Sequence, residues 1–337
     1  MKAAILSSIA WRTPPEGYGP WEQVASNIAE GLVALGVDVT LFATANSITE
    51  GKLASICPMP YEENNNIDPK VWECLHISHL MEQASQFDII HNHFDFLPLT
   101  YSRLIDTPMI TTIHGFSSPG IMPVYKKYNN SSAYISISDT DRHSELSYLR
   151  TIYHGIDPKH FSFNEIKDDY LLFFGRIHPH KGTHIAIEIA RLTGCRLVIA
   201  GLIQDEMYFD ELVRPYIDND KVQYVGNAGP SLRNQLLGKA KALLHPICFE
   251  EPFGLSVIES MMCGTPVIAF ARGSMPELII DGTTGYLVND TSDAVAAIKK
   301  LKNISPYACR EHAQTNFSLK QMTGDYLEAY KRVIEMR

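Results

Sequence analysis

One stretch limits what this chain can fold into more than any other. Residues 242–247, Ala-Leu-Leu-His-Pro-Ile, form a short apolar run, as a buried strand requires. Glu251-Pro252-Phe253-Gly254 follows; Pro252 biases Glu251 to an extended backbone and cannot continue a strand ladder. A helical pattern then runs through Met262. Gly264 stands where a helix C-terminus needs it, and Thr265-Pro266 ends the helix. Val267 to Phe270 is the next apolar strand. Strand, glycine-bearing loop, helix and strand in about 30 residues is the repeating unit of a parallel α/β sheet.

Two carboxylates flank this loop: Glu251 just before the turn and Glu259 about a turn and a half into the helix. The N–H groups of Phe253, Gly254 and Leu255 lie at the helix start, where the macrodipole favours an anion. A nucleotide sugar suits this arrangement, with phosphates on the N–H groups and hydroxyls of sugar and ribose on the carboxylates. Glu-x7-Glu alone more often marks an acidic first turn and an exposed helix position. The apolar strands, the Pro-Phe-Gly turn and the Gly-Thr-Pro exit favour the ligand reading.

The segment Glu251-Pro-Phe-Gly-Leu-Ser-Val-Ile-Glu259-Ser-Met-Met-Cys-Gly-Thr-Pro-Val resembles the signature of the retaining glycosyltransferases of family 4. That resemblance implies an α/β protein of GT-B fold, two Rossmann-like parallel-sheet domains facing across a cleft. It also implies a C-terminal helix that crosses back to the first domain. His154-Gly155-Ile156-Asp157 resembles the Asn-Gly-Ile-Asp segment at which family members leave that domain, with His154 in place of Asn. The expected division is therefore 1–158, with 320–337 packing back on it, and 159–319 as the nucleotide-sugar-binding domain.

Other matches follow the chain. Ala3 to Ser7 reads as a strand, and Gly17-Tyr18-Gly19 lies between it and a helix bearing Trp21, Val24, Ala25, Ile28, Leu32 and Leu35 at helical spacing. The third glycine of a dinucleotide fingerprint is missing. By resemblance, Gly17, Tyr18 and Gly19 lie near donor phosphate and acceptor. Residues 46–68 read as a long polar, mobile connection. Residues 88–93 and 109–113 read as strands whose tips carry His91, His93 and His114, where open α/β sheets place ligands. The resemblance puts His114 against the donor sugar and His93 on the acceptor or sugar side. A further strand, 132–138, is expected to lead into a helix over 139–148. In the second half, Gly175-Arg176 and Lys181-Gly182 follow a strand. An Arg fork and a Lys point charge suit a diphosphate. Gly201 and Asn227 follow two more strands as donor contacts, although Ala-Gly-Leu-Ile replaces the family's Ala-Gly-x-Gly. Asp139-Thr-Asp141 reads as a helix cap and Asp218-Asn-Asp220 as a turn, neither as a metal site.

Composition narrows the partners. Residues 1–158 hold 9 Lys/Arg against 17 Asp/Glu, net −8, and the remainder holds 20 against 21, net −1. An acidic first half argues against nucleic acid and stable binding to anionic membranes. The six cysteines show no Cys-x-x-Cys spacing and read as reduced core residues of a cytoplasmic protein. No apolar run reaches membrane-spanning length, and the apolar start reads as a strand rather than a signal peptide. The expectation is a hexosyltransferase that moves glucose from UDP-glucose to a small soluble acceptor without metal or other cofactor. Glu251, His114, Arg176 and Lys181 would do the chemistry, and Phe253, Gly254, Leu255 and Glu259 would bind the donor. The alternatives are an epimerase or other enzyme of this fold, or a non-catalytic sugar-nucleotide-binding protein.

Overall fold

The computed structural model of the chain describes residues 1–336. Its strands and helices run β1 (Lys2–Leu6), α1 (Pro20–Ala34), β2 (Asp38–Phe42), β3 (Lys52–Ala54), α2 (Pro69–Met81), β4 (Ile89–Asn92), β5 (Met109–Ile113), α3 (Met122–Tyr128), β6 (Ala133–Ser136) and β7 (Tyr148–Thr151). They continue with β8 (Tyr170–Phe174), α4 (Thr183–Thr193), β9 (Arg196–Ala200), α5 (Glu206–Leu212), β10 (Val222–Tyr224), α6 (Pro230–Lys239), β11 (Ala242–His245), α7 (Leu255–Met262) and β12 (Val267–Phe270). The chain ends with α8 (Met275–Leu278), β13 (Gly285–Val288), α9 (Thr291–Ile298), α10 (Pro306–Asn316) and α11 (Leu319–Glu335). Two compact units result: Met1–Gly155 with the segment from Leu319 onward, and Ile156–Ser318.

The first unit holds a seven-stranded sheet in the order β3-β2-β1-β4-β5-β6-β7. All its pairings are parallel, so its central strands are buried on both faces. Ala3 to Leu6 and Ile89 to Asn92 are accordingly inaccessible to solvent, which is why these segments read as apolar runs. The apolar start of the chain is thus a central strand. The helix α11 packs on α1 within this unit. A methyl group at Gly31 of α1 would lie 2.2 Å from Thr323 Cγ2 of α11, so the missing side chain is what lets the two helices approach. Met322, Tyr326, Ala329 and Tyr330 form the buried face of α11.

The second unit holds a six-stranded parallel sheet in the order β10-β9-β8-β11-β12-β13. In both orders the chain steps outward from one strand and then resumes on that strand's other side. Such a reversal creates a crevice at the carboxyl ends of the strands. In the second unit it falls between β8 and β11. Those two strands lead into Arg176 and Glu251.

Several expectations are corrected. Residues 139–148 form turns and the start of β7, not a helix. Polar side chains occupy the N–H groups a helix would need. Asp141 N–H donates to Ser138 Oγ at 3.1 Å, His143 N–H to the Tyr148 hydroxyl at 3.0 Å and Ser147 N–H to Asn129 Oδ1 at 2.9 Å. Side chains of this kind compete with helix formation. Asp139 therefore caps no helix. The 46–68 connection contains the edge strand β3, in register with Thr40 to Phe42, and a buried Cys57. Leu35 lies past the end of α1 and is 46% exposed. Cys74 and Cys248 are exposed rather than core residues. Asp218 is a turn residue, and its Oδ1 accepts the N–H groups of Asp220, Lys221 and Val222.

Candidate functional site

In the second unit the carboxyl ends of β8 and β11 lead into three predicted side chains, Arg176, Lys181 and Glu251, and the last two meet. Lys181, just before α4, forms an ion pair with Glu251. His245 Nε2, at the end of β11, lies 3.5 Å from the same Glu251 oxygen. The Lys181 ammonium also sits 4.9 Å over the Phe249 ring. Burial alone would raise the Glu251 carboxyl. The Lys181 ammonium and His245 outweigh it and hold the group at about 2. Glu251 is therefore an ionised acceptor at neutral pH and cannot act there as an acid. Arg176, at the end of β8, is half-buried and donates to Gln204 Oε1.

The backbone of Glu251 is held from the loop after β12. Ser274 N–H donates to the Glu251 carbonyl at 2.9 Å, and Gly273 N–H to Glu250 Oε2 at 2.5 Å. A Cβ at Gly273 would lie 2.3 Å from both the Glu251 nitrogen and oxygen, and its φ of +55° is left-handed. Only glycine fits a position with both demands. Gly273 thus lets the loop after β12 close on the backbone of Glu251.

The turn into α7 begins at Gly254, with φ +98°. The N–H groups of Gly254 and Leu255 have no partner among the described residues, and the first turn closes with Val257 N–H on the Gly254 carbonyl at 3.0 Å. Phe253 differs: it is 3% exposed, its ring lies 6.2 Å from Phe317, and its carbonyl accepts from Ser274 Oγ. Its side chain supports the turn from the core. Glu259 is 5% exposed and pairs through Oε1 with Arg233 at 3.1 Å. Burial raises its pKa, and Arg233 offsets only part of that. Gly201 packs on the Gly175 carbonyl at the ends of β8 and β9, and Asn227 is exposed beyond β10.

In the first unit the three histidines form one hydrogen-bonded cluster. His93 Nδ1 lies 2.9 Å from His114 Nε2, and His93 Nε2 lies 3.2 Å from His91 Nδ1. His114 stacks on Trp21 with centroids 5.6 Å apart, and its ring lies 5.3 Å from that of His154. His93 is fully buried, with both nitrogens taken. It backs His114 and has no surface to offer an acceptor, which corrects the acceptor-side expectation. Gly17 is exposed, Tyr18 is half-buried against Trp11 at 6.1 Å, and Gly19 caps α1.

Sequence reading missed four residues here. His245 and Arg233 pair with the two glutamates. Asp95, in a left-handed backbone at φ 61°, accepts from Tyr125 at 2.5 Å and Ser117 at 2.8 Å. It thereby ties the tip of β4 to the chain after β5. Glu22 is 2% exposed and accepts from Trp11 N–H at 3.3 Å; burial raises its pKa to about 7. Only Asp95, two residues beyond a paired histidine, carried a sequence signal. Among the described residues no group of three or more His, Cys, Asp or Glu is placed to hold a metal ion.

Comparison with known proteins points the same way over nearly the whole chain. The model of "Glycosyl transferases group 1" matches residues 156–315, and that of "Glycosyltransferase Family 4" matches residues 21–160. A glycogen synthase of Mycobacterium tuberculosis is 24% identical over 378 aligned positions, covering 94% of this chain and 90% of that protein. Among solved structures, a sucrose-phosphate synthase from Thermosynechococcus elongatus superposes with TM-score 0.79 at 20% identity, over 100% of both chains. Anabaena HepE in complex with UDP and glucose superposes with TM-score 0.76 at 19% identity, over 98% of this chain and 99% of that one.

Proposed function

The chain belongs to the group 1 glycosyltransferases of GT-B fold, which take sugar from a nucleotide-sugar donor, and on that premise we propose a retaining hexosyltransferase that moves glucose from UDP-glucose to a small soluble acceptor. The observation that carries this reading is the buried Lys181–Glu251 pair beside the open N-terminus of α7. Cation, carboxylate and unpaired N–H groups there match the leaving diphosphate and the hydroxyls of a donor sugar. The neighbour solved with UDP and glucose makes that donor the first to test.

In this reading Arg176 and Lys181 stabilise the charge that develops on the leaving diphosphate, and the N–H groups of Gly254 and Leu255 add to it. Lys181 shifts from Glu251 toward phosphate as the donor binds. Glu251, kept ionised, accepts sugar hydroxyls and orients the ring. In the first unit His114 holds a ligand hydroxyl, and in the second Glu259 Oε2 holds the ribose. Gly17, Tyr18 and Gly19 contribute on the phosphate and acceptor side, and Asn227 near the base. The acidic first half favours a small soluble acceptor over a membrane-embedded one. Among the described residues no helix is long and apolar enough to cross a membrane.

A thermal-shift panel of UDP, GDP and ADP and their sugars tests the donor. UDP-glucose is expected to raise the melting temperature most, because a ligand that binds only the folded state stabilises it. A larger shift with a GDP or ADP sugar would overturn the choice of base. Two fixed cations serve here in place of a divalent ion, so turnover is expected to survive EDTA. A loss restored by Mg²⁺ or Mn²⁺ would contradict the roles of Arg176 and Lys181.

A further inference from the structure

We propose that His245 takes over the Glu251 carboxylate from Lys181 when a donor binds, so that Glu251 keeps its charge while Lys181 serves the diphosphate. An orphaned nitrogen points to this exchange. His245 is 5% exposed, and its Nε2 is buried with no hydrogen-bond partner among the described residues. Buried polar atoms are rarely left unpaired, and an exception calls for a reason. The nitrogen faces Glu251 Oε2 at 3.5 Å, which is longer than an N–H···O bond. The Lys181 ammonium holds that same oxygen. One carboxylate oxygen therefore has two donors beside it, and only the lysine is bonded.

The exchange needs no backbone movement. His245 ends β11, in register with Ala269 of β12. The Lys181 turn is pressed on the same strand end: a Cβ at Gly182 would lie 2.0 Å from the Pro246 carbonyl oxygen, and Cys248 N–H donates to the His180 carbonyl at 2.7 Å. Ser274 N–H holds the Glu251 carbonyl. What is free to move is the lysine side chain, a point charge on a flexible four-carbon stem. Once it leaves, a shift of about half an ångström brings His245 Nε2 to hydrogen-bond distance of Glu251.

The charges favour the same exchange. Burial lowers the His245 pKa, Glu251 offsets part of that, and Lys181 adds to it, so the ring is neutral near pH 7 while the ammonium is in place. Glu251 and Lys181 are the charged groups that face the ring, and Lys181 and His245 those that face Glu251. Departure of the ammonium removes a repulsion from His245 and bares a carboxylate beside it, and both draw a proton to Nε2. Without His245, burial would then push the Glu251 carboxyl up unopposed and cost it the charge. The inference rests on the reading of Lys181 as the cation of the leaving diphosphate. His245 acts through Glu251 and is a positioning residue.

Long-range proton–nitrogen correlation NMR of the ¹⁵N-labelled full chain follows the titration of the His245 ring, with and without UDP. Lys181→Met removes the ammonium without any ligand and is expected to raise the His245 midpoint by about one pH unit or more. Saturating UDP should raise it in the same direction in the wild type. A His245 that titrates in folded Lys181→Met as it does in the wild type would overturn the proposal, whatever the donor. A midpoint raised in Lys181→Met but unmoved by UDP would leave the exchange standing and sink the reading of Lys181 as the diphosphate cation. If Lys181→Met does not fold, a wild-type midpoint unmoved by UDP overturns the proposal. His245→Phe should lower kcat with UDP-glucose roughly tenfold at neutral pH, keep the donor KM within about twofold, and move the acid limb of kcat to higher pH. His245→Gln, whose amide can donate in place of Nε2, should recover most of the loss. An unmoved acid limb in folded His245→Phe would also overturn the proposal.

Discussion

Glu251→Gln is expected to lower kcat roughly 10²-fold or more while the donor KM changes little. The carboxylate is held ionised at about 2 by Lys181 and His245 despite its burial, so in the proposed reaction it meets the sugar fully charged. The sugar gains positive character as the bond to the leaving diphosphate breaks. An interaction stronger in the transition state than in the ground state appears in kcat, and losing ~3 kcal/mol of it gives a loss of that size. The substitution also frees Lys181, whose side chain is 15% exposed and within reach of water. The fold should therefore survive, which circular dichroism can check. A variant with unchanged kcat and a raised KM would show that Glu251 binds the sugar equally in both states.

Glu259→Gln is expected to cost about 3 kcal/mol of stability, because it leaves the Arg233 guanidinium buried without its counter-charge. For a unit of this size that lowers the melting temperature on the order of 8 °C. The side chains are 18% and 6% exposed, so little water reaches the pair. Arg233→Met alone should destabilise similarly, and joining Arg233→Met to Glu259→Leu should recover part of the loss, as coupling across a direct pair requires. The donor KM separates the two roles of Glu259. If Oε2 holds the ribose, KM rises in Glu259→Gln and stays high in the double variant. A KM restored along with stability would show that Glu259 serves only the fold.

Much of this architecture was legible in the sequence. Strands buried on both faces read as continuous apolar runs, so the β11–α7–β12 unit stood out, and Gly264 and Pro266 fixed its end. The positions of Glu251 and Glu259 on either side of the helix start follow from that unit alone. Their partners did not. Arg233 meets Glu259 across the contact between α6 and α7, and His245 is an ordinary core position until β11 places it beside Glu251. Such pairings depend on tertiary packing, which spacing does not encode. The helix expected at 139–148 failed for a local reason, since Ser138, His143 and Asn129 side chains take the N–H groups a helix would use. His93 was misjudged because a strand tip looks exposed in sequence, whereas His91 and His114 flank this one and take both of its ring nitrogens.

In the proposed reaction the acceptor takes the same face of the sugar that the nucleotide leaves. Incubating the protein with UDP-glucose in the absence of acceptor, and following the products by proton NMR before the anomers equilibrate, tests it most directly. Slow release of UDP is expected, with glucose appearing first as the α anomer. Binding of UDP-glucose without any release of UDP, or glucose appearing first as the β anomer, would contradict it.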